Sequence, residues 1–224
     1  WYMISNSNPW DNLKFDIDGV NEVSRKFFGT LFNTYSFFAI YANIDDFDIN
    51  KKNIPFAKRP EIDRWIISEL NHLIKEVEEA FDKYDATKAA RNISTFVNDL
   101  LSNWYVRLSR RRFWKGALSH DKLSAYQTLF ECLDKVCRLM APLAPFFAER
   151  LFLDLNKENK LEFKDSVHLT IFPTCNPERR DIELENKMNY ARDISSLALS
   201  IRKKNQIKVR QPLSKLIVPV KSIL

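Results

Sequence analysis

Ile62, Trp65, Ile66, Leu70, Leu73, Val77 and Phe81 fall three and four residues apart, which places them on one stripe of an α-helix. The same interval recurs in Val20, Val23, Phe27, Leu31, Tyr35 and Phe38, then in Ile93, Phe96, Val97, Leu100, Leu101, Trp104 and Leu108. A fourth stripe runs through Leu123, Tyr126, Leu129, Phe130, Leu133, Val136 and Met140. Stripes of this kind are stable only when buried against one another, so the chain is expected to form a helical bundle. Glycine points the same way. Three glycines in 224 residues are too few for a turn-rich β fold or a phosphate-cradling loop.

The punctuation between stripes divides the chain. Residues 1–18 read as an irregular leading segment with the turn-rich NSNPWDN, and a helix begins at Gly19. Phe28, Phe32 and Phe37 lie off its stripe, so this helix is expected to be covered on more than one side. Residues 43–59 form a polar linker, and Pro60 suits the first position of the next helix. That helix has an acidic outer face of Glu69, Glu76, Glu78, Glu79 and Asp82. Asp85 suits the N-cap of the third helix, and KGALSH ends it. Pro142 and Pro145 in MAPLAPFF predict a kink or restart, with Phe146–Leu155 continuing. From Asn156 to Pro177 the chain reads as loop with a short strand at SVHLTIF. A further helix is expected over about Glu178–Lys203, and Leu216–Val220 alternates like a strand. The expectation is an all-α fold, a bundle of about five long helices with a short extended C-terminal segment. It is organised as a leading segment 1–18, a helical domain 19–205 and the start of an extended or β segment at 206–224.

Several function classes find no support. There is no GxSxG, HExxH or P-loop, and His72, His120 and His168 have no metal-ligand spacing. Asp45, Asp46 and Asp48 lack the glycine and ligand pattern of a calcium loop. Cys132, Cys137 and Cys175 form no CxxC pair, and an odd, sparse set of thiols reads as a reduced, cytoplasmic chain. No apolar run reaches the ~18–20 residues of a membrane span. The chain opens on WYMIS without a start Met and stops after LIVPV, so both ends read as cut from something larger.

The stretch Asn103–Trp114, NWYVRLSRRRFW, carries the clearest binding signal. Four arginines and four aromatics occupy twelve residues without an acid, and from Ala86 to Lys115 seven basic residues face one acidic residue. On a helical wheel Trp104 and Leu108 continue the core stripe, with Tyr105 and Arg112 beside it. Arg107, Arg111 and Trp114 share an adjacent face, and Arg110 lies beyond it. Planar cations and an indole suit RNA, which offers phosphates for forked hydrogen bonds and unstacked bases for stacking. The competing reading is structural: the preceding helix is acidic, so some of these arginines answer Glu76, Glu79 or Asp82 across a helix interface, Arg112 first among them. The tail Arg202–Lys215 is also basic without an acid, as a solvated face or an RNA contact.

Taken together, several segments resemble the anticodon-binding region of class I aminoacyl-tRNA synthetases, in particular the isoleucyl family. WYMISNSNPWDNLKF is similar to the family's exit from its catalytic domain, and FFGTLFNTYSFF to its first bundle helix. NWYVRLSRRRFW and LMAPLAPFFAERLF resemble its arginine–tryptophan and proline-kinked helices. DSVHLTIFP and IRKKNQIKVRQPL, in that order, favour isoleucine over the valyl and leucyl relatives. The resemblance implies a parent enzyme that uses ATP with Mg2+ to attach isoleucine to its tRNA. Its HIGH-type and KMSKS-type motifs and its editing domain would lie outside this chain. This piece would then carry no catalytic residue and no cofactor of its own; the zinc content of the parent stays open. Its partners would be tRNA(Ile) and the catalytic and editing domains of the same chain, and no membrane. By match to the family's first helix, Asn33 and Phe37 are implied at the anticodon loop. Arg107, Arg110, Arg111 and Trp114 are candidates for the stem backbone or for the seam with the catalytic body. Lys203, Lys204, Lys208 and Arg210 are candidates in the tail. Two rivals stand beside this reading: a helical adaptor that packs on protein, and the equivalent domain of a valyl enzyme.

Overall fold

The computed structural model describes residues 1–50, 53–157 and 165–219. Lys51 and Lys52 of the linker, residues 158–164 of the expected loop and Val220 of the expected strand lie outside the described residues. The fold is all-α, with no strand among the described residues. It divides into two compact units, Trp1–Arg180 and a second that begins at Asp181.

The first unit opens with structure where the sequence reads as irregular. A short helix, α1 (Tyr2–Asn6), is pinned by residues far along the chain. The Trp1 ring stacks on Phe27 at 4.3 Å, and Trp1 Nε1 donates to Ser94 Oγ at 3.1 Å. Arg91 donates to the Ser5 and Asn6 carbonyls at 2.7 and 3.0 Å, which satisfies the acceptors left open at the C-terminal end of the helix. Gly19 is required here, because a Cβ on it would come within 2.4 Å of the Tyr2 ring. Local hydrophobic periodicity cannot reveal such a segment, since its partners lie tens of residues away.

The long helices form rods. Asp16 caps the first by accepting from the Asp18 and Gly19 amides. It comprises α2 (Ile17–Val23), a π-helical segment Ser24–Phe28 and α3 (Gly29–Ile44). Phe28 and Phe37 are half-buried as expected of a helix covered on more than one side, whereas Phe32 is exposed. The central helix α4 (Glu61–Asp82) buries Trp65, Ile66, Ile67, Leu70, Ile74 and Val77 almost completely. Pro60 stands one residue earlier than expected, at the N-cap with ψ 153°. Its carbonyl accepts from the Asp63 and Arg64 amides. Glu69, read as part of the acidic outer face, is instead buried and accepts from Trp65 Nε1 at 3.2 Å.

The third rod joins α5 (Ala86–Thr95), a π-helical segment Phe96–Val106 and α6 (Arg107–Trp114). In a π-helix the N–H bonds five residues back, so each turn takes up an extra residue and the inward face drifts. The buried positions accordingly run Val97, Leu101, Tyr105, Ser109 and Phe113, a four-residue step. This overturns part of the helical-wheel reading: Tyr105 is core, and Leu108 is 54% exposed. Leu108→Ala is therefore expected to change stability by less than about 0.5 kcal/mol. Phe113→Ala is expected to cost about 3–5 kcal/mol in urea denaturation.

Ser119 caps α7 (His120–Met140), and Pro145 takes the first position of α8 (Pro145–Asn156), so the proline pair restarts the helix. The strand expected in SVHLTIF is a 3₁₀ turn, Val167–Leu169, held by Glu149, which accepts from the Ser166 hydroxyl and the Val167 amide. In the second unit α9 (Ile182–Lys204) starts later than expected, at the Asp181 cap, because Pro177–Arg179 forms its own 3₁₀ turn. Residues 216–219 form no strand. No helix among the described residues is long and apolar enough to cross a membrane.

Candidate nucleic-acid interface

The seven basic residues between Ala86 and Lys115 separate into two groups. Lys88 pairs with Glu76 at 3.0 Å, and Arg91 closes α1. Arg112 serves the core. Asp63 is 0% exposed, and it accepts from Arg112 Nη1 and Nη2 at 2.6 and 2.8 Å. Tyr105 OH at 2.7 Å and Ser124 Oγ at 2.6 Å complete its shell. Arg112 also donates through Nε to Asp121 Oδ2 at 3.0 Å. Burial works against the guanidinium charge, but the bonds to Asp63 and Asp121 outweigh it and hold Arg112 more firmly protonated than usual. The structural reading of Arg112 is therefore right in kind. Its partner, however, is the first-turn Asp63 and not the later acids of α4.

Arg107, Arg110 and Arg111 are different. All three are exposed, and among the described residues none takes part in an ion pair. Trp114 is 55% exposed. Their direction follows from Arg112. Relative to the buried Phe113, Arg112 lies about 100° to one side and Trp114 about 100° to the other. Since α4 and α7 occupy the Arg112 side through Asp63 and Asp121, the opposite side presents Arg107, Arg110 and Trp114, with Arg111 facing away from Phe113. Lys115 is exposed at the end of the same helix. The result is a face with planar cations, an indole and no carboxylate of its own.

Asn33 and Phe37 lie one helical turn apart on α3. Asn33 is exposed, and its side-chain amide has no hydrogen-bond partner among the described residues. Phe37 is half-buried, edge-on to Tyr41 and to Phe113, with ring centroids 5.1 Å apart in both pairs. The contact with Phe113 places Phe37 against the helix that carries the arginines. Its exposed edge is available and its inner edge is core, so the structural and binding readings of this residue coexist.

The remaining candidates belong to the second unit. Lys204 ends α9, and Arg210 follows a turn in which Gln206 has φ 55°. Arg202, from the same basic run, donates to the Lys208 and Gln211 carbonyls at 3.0 and 2.9 Å and so shapes that turn. Lys203, Lys204, Lys208 and Arg210 are exposed around it. Among the described residues no cluster of His, Cys, Asp and Glu could hold a metal.

One group escaped the sequence reading. Lys122, in the first turn of α7, is 3% exposed and contacts Asp45 and the Gly116 carbonyl. Burial pushes the Asp45 carboxyl up, but the bonds from Lys122 and Tyr126 outweigh it and hold Asp45 below the usual carboxylate range. The capping pattern of Ser119 gives no sign that the lysine three residues on is buried.

Comparison with known proteins places this geometry. Residues 63–217 match the family described as the anticodon-binding domain of tRNA ligase. The isoleucine–tRNA ligase of Bacteroides thetaiotaomicron is 59% identical over 220 residues, which is 98% of this chain and 19% of that relative. Those of Bacteroides fragilis and Porphyromonas gingivalis are each 58% identical, again over 98% of this chain and 19% of theirs. The chain thus spans about a fifth of the length of these curated relatives, 19% in each case. With the match covering most of a helical bundle that exposes an arginine-rich helix end, the chain belongs to the anticodon-binding domain family of tRNA ligases.

Proposed function

We propose that the chain is the anticodon-binding part of a cytoplasmic isoleucine–tRNA ligase and binds the anticodon stem and loop of the isoleucine tRNA. The observation that carries this is the division of labour along α6: one arginine is consumed by the core while Arg107, Arg110 and Arg111 stay exposed beside Trp114. Family membership and the identity to isoleucine–tRNA ligases supply the class of RNA. Guanidinium groups hold stem phosphates, and the exposed indole, the Phe37 edge and the Asn33 amide suit unstacked loop bases. Lys204 and Arg210 offer further phosphate contacts from the second unit.

This chain contributes recognition, while activation of isoleucine with ATP and Mg2+ and proofreading belong to the remainder of the parent enzyme. Binding the anticodon arm would hold the acceptor end in register with that distant site, a contribution made by position alone. Nuclease protection of the isoleucine tRNA tests where the chain sits. Protection confined to the anticodon arm is expected; protection of the acceptor stem, or of no region, would contradict the assignment. A valine tRNA in the same assay separates the valyl rival, which predicts the stronger protection there.

A further inference from the structure

Lys122 stands where three helix ends meet. Its Nζ lies 2.5 Å from Asp45 Oδ2, and Asp45 is the C-cap residue of α3. The same ammonium donates to the Gly116 carbonyl at 3.2 Å. Gly116 follows the end of α6 and holds φ 71°, a left-handed conformation that glycine adopts without strain. Asp45 also accepts from Tyr126 OH. The Tyr126 ring lies 5.0 Å from Phe113, which in turn meets Phe37. One buried cation therefore joins the end of the helix that carries Asn33 and Phe37 to the end of the helix that carries Arg107, Arg110, Arg111 and Trp114.

Aromatic contacts tolerate sliding, because edge-to-face pairs are favourable over a broad range of separations. A charge-assisted hydrogen bond is shorter and stronger, and its strength falls as the partners separate. Packing of α3 along the π-helical segment and α7 sets how far apart the helices lie, and the Phe37–Phe113 contact leaves the alignment of their ends to other groups. The Asp45–Lys122–Gly116 bridge adds a directed tie between the ends of α3 and α6. A buried ion pair of this kind is in general no more stabilising than an apolar substitute of similar volume. Stability alone therefore gives little reason for a buried lysine here.

We propose that Lys122, acting through Asp45 and the Gly116 carbonyl, is a positioning residue for RNA binding that aligns the α3 and α6 halves of the interface. This role rests on the RNA-binding reading above. An RNA stem presents its phosphates at a fixed repeat, so halves held out of alignment engage fewer of them at once.

The test is the double substitution Lys122→Met with Asp45→Asn in the 224-residue chain, which removes both charges and leaves no buried charge unpaired. Binding to the anticodon stem–loop RNA is measured over a salt series, at a temperature where circular dichroism shows every variant folded. The double variant is expected to lose about fivefold or more in affinity and to show a shallower salt dependence, while its urea midpoint stays near that of the unsubstituted chain. Unchanged affinity and slope would overturn the proposal. Gly116→Ala provides an independent route: a Cβ there meets nothing within 4 Å, yet the positive φ is strained, so the turn that presents the carbonyl to Lys122 is destabilised with no change in charge. It is expected to weaken binding in the same way, and wild-type binding by a folded Gly116→Ala chain would also overturn the proposal. Arg107→Ala with Arg111→Ala runs in parallel. If that pair weakens binding and the Lys122 and Gly116 variants do not, the positioning role alone fails. If it leaves binding unchanged, the RNA-binding reading fails and the positioning role with it.

Discussion

Arg107→Ala combined with Arg111→Ala is expected to lower affinity for the isoleucine tRNA by about tenfold or more, ~1.4 kcal/mol, with no loss of helical content. Both side chains are exposed and make no ion pair among the described residues, so the fold has nothing to lose with them. Each guanidinium that neutralises a phosphate releases condensed counterions. Removing two should therefore reduce the slope of log affinity against log salt by roughly 1.4–1.8. Affinity measured by fluorescence anisotropy at several salt concentrations gives both numbers. Unfolding of the variant with unchanged affinity per folded molecule would instead make these arginines part of the structure.

The second large effect concerns their neighbour. Asp63→Ala is expected to destabilise the bundle by about 3 kcal/mol, because it leaves the largely buried Arg112 guanidinium with the half-exposed Asp121 as its remaining counter-charge. It also removes the acceptor of Tyr105 OH and Ser124 Oγ. Asp63 joins the start of α4 to the π-helical segment, to α6 and to α7, so its loss loosens four elements together. Arg112→Ala should cost at least as much, since it leaves the fully buried Asp63 carboxylate with two neutral donors, Tyr105 and Ser124, and no counter-charge. Urea denaturation of both variants checks the order. A stable Arg112→Ala chain with reduced RNA affinity would contradict the division between Arg112 and the three exposed arginines.

The legibility of the sequence tracks the range of the interactions. The four stripes are local patterns, and α4 and α7 form where their stripes place them. Capping at Asp85 and the restart at Pro145 are equally local. The π-helical segment Phe96–Val106 is not, because apolar residues at mixed three- and four-residue steps fit either register until the surrounding helices select one. That choice moves Tyr105 inward and Leu108 outward. In the candidate interface, Arg112 stands out through its place beside the core stripe. Its carboxylate partner, 49 residues away, cannot be read from spacing. Lys122 is invisible for the same reason: both of its partners are supplied by other helix ends.

Whether the chain reads bases is decided by its binding to the isoleucine tRNA across a salt series, against the same tRNA with an altered anticodon. Phosphate contacts fade with salt regardless of sequence, whereas base contacts do not. A preference for the natural anticodon that survives moderate salt is expected. Equal binding to the two RNAs, lost together as salt rises, would contradict the anticodon-binding assignment and leave a basic patch that reads no base.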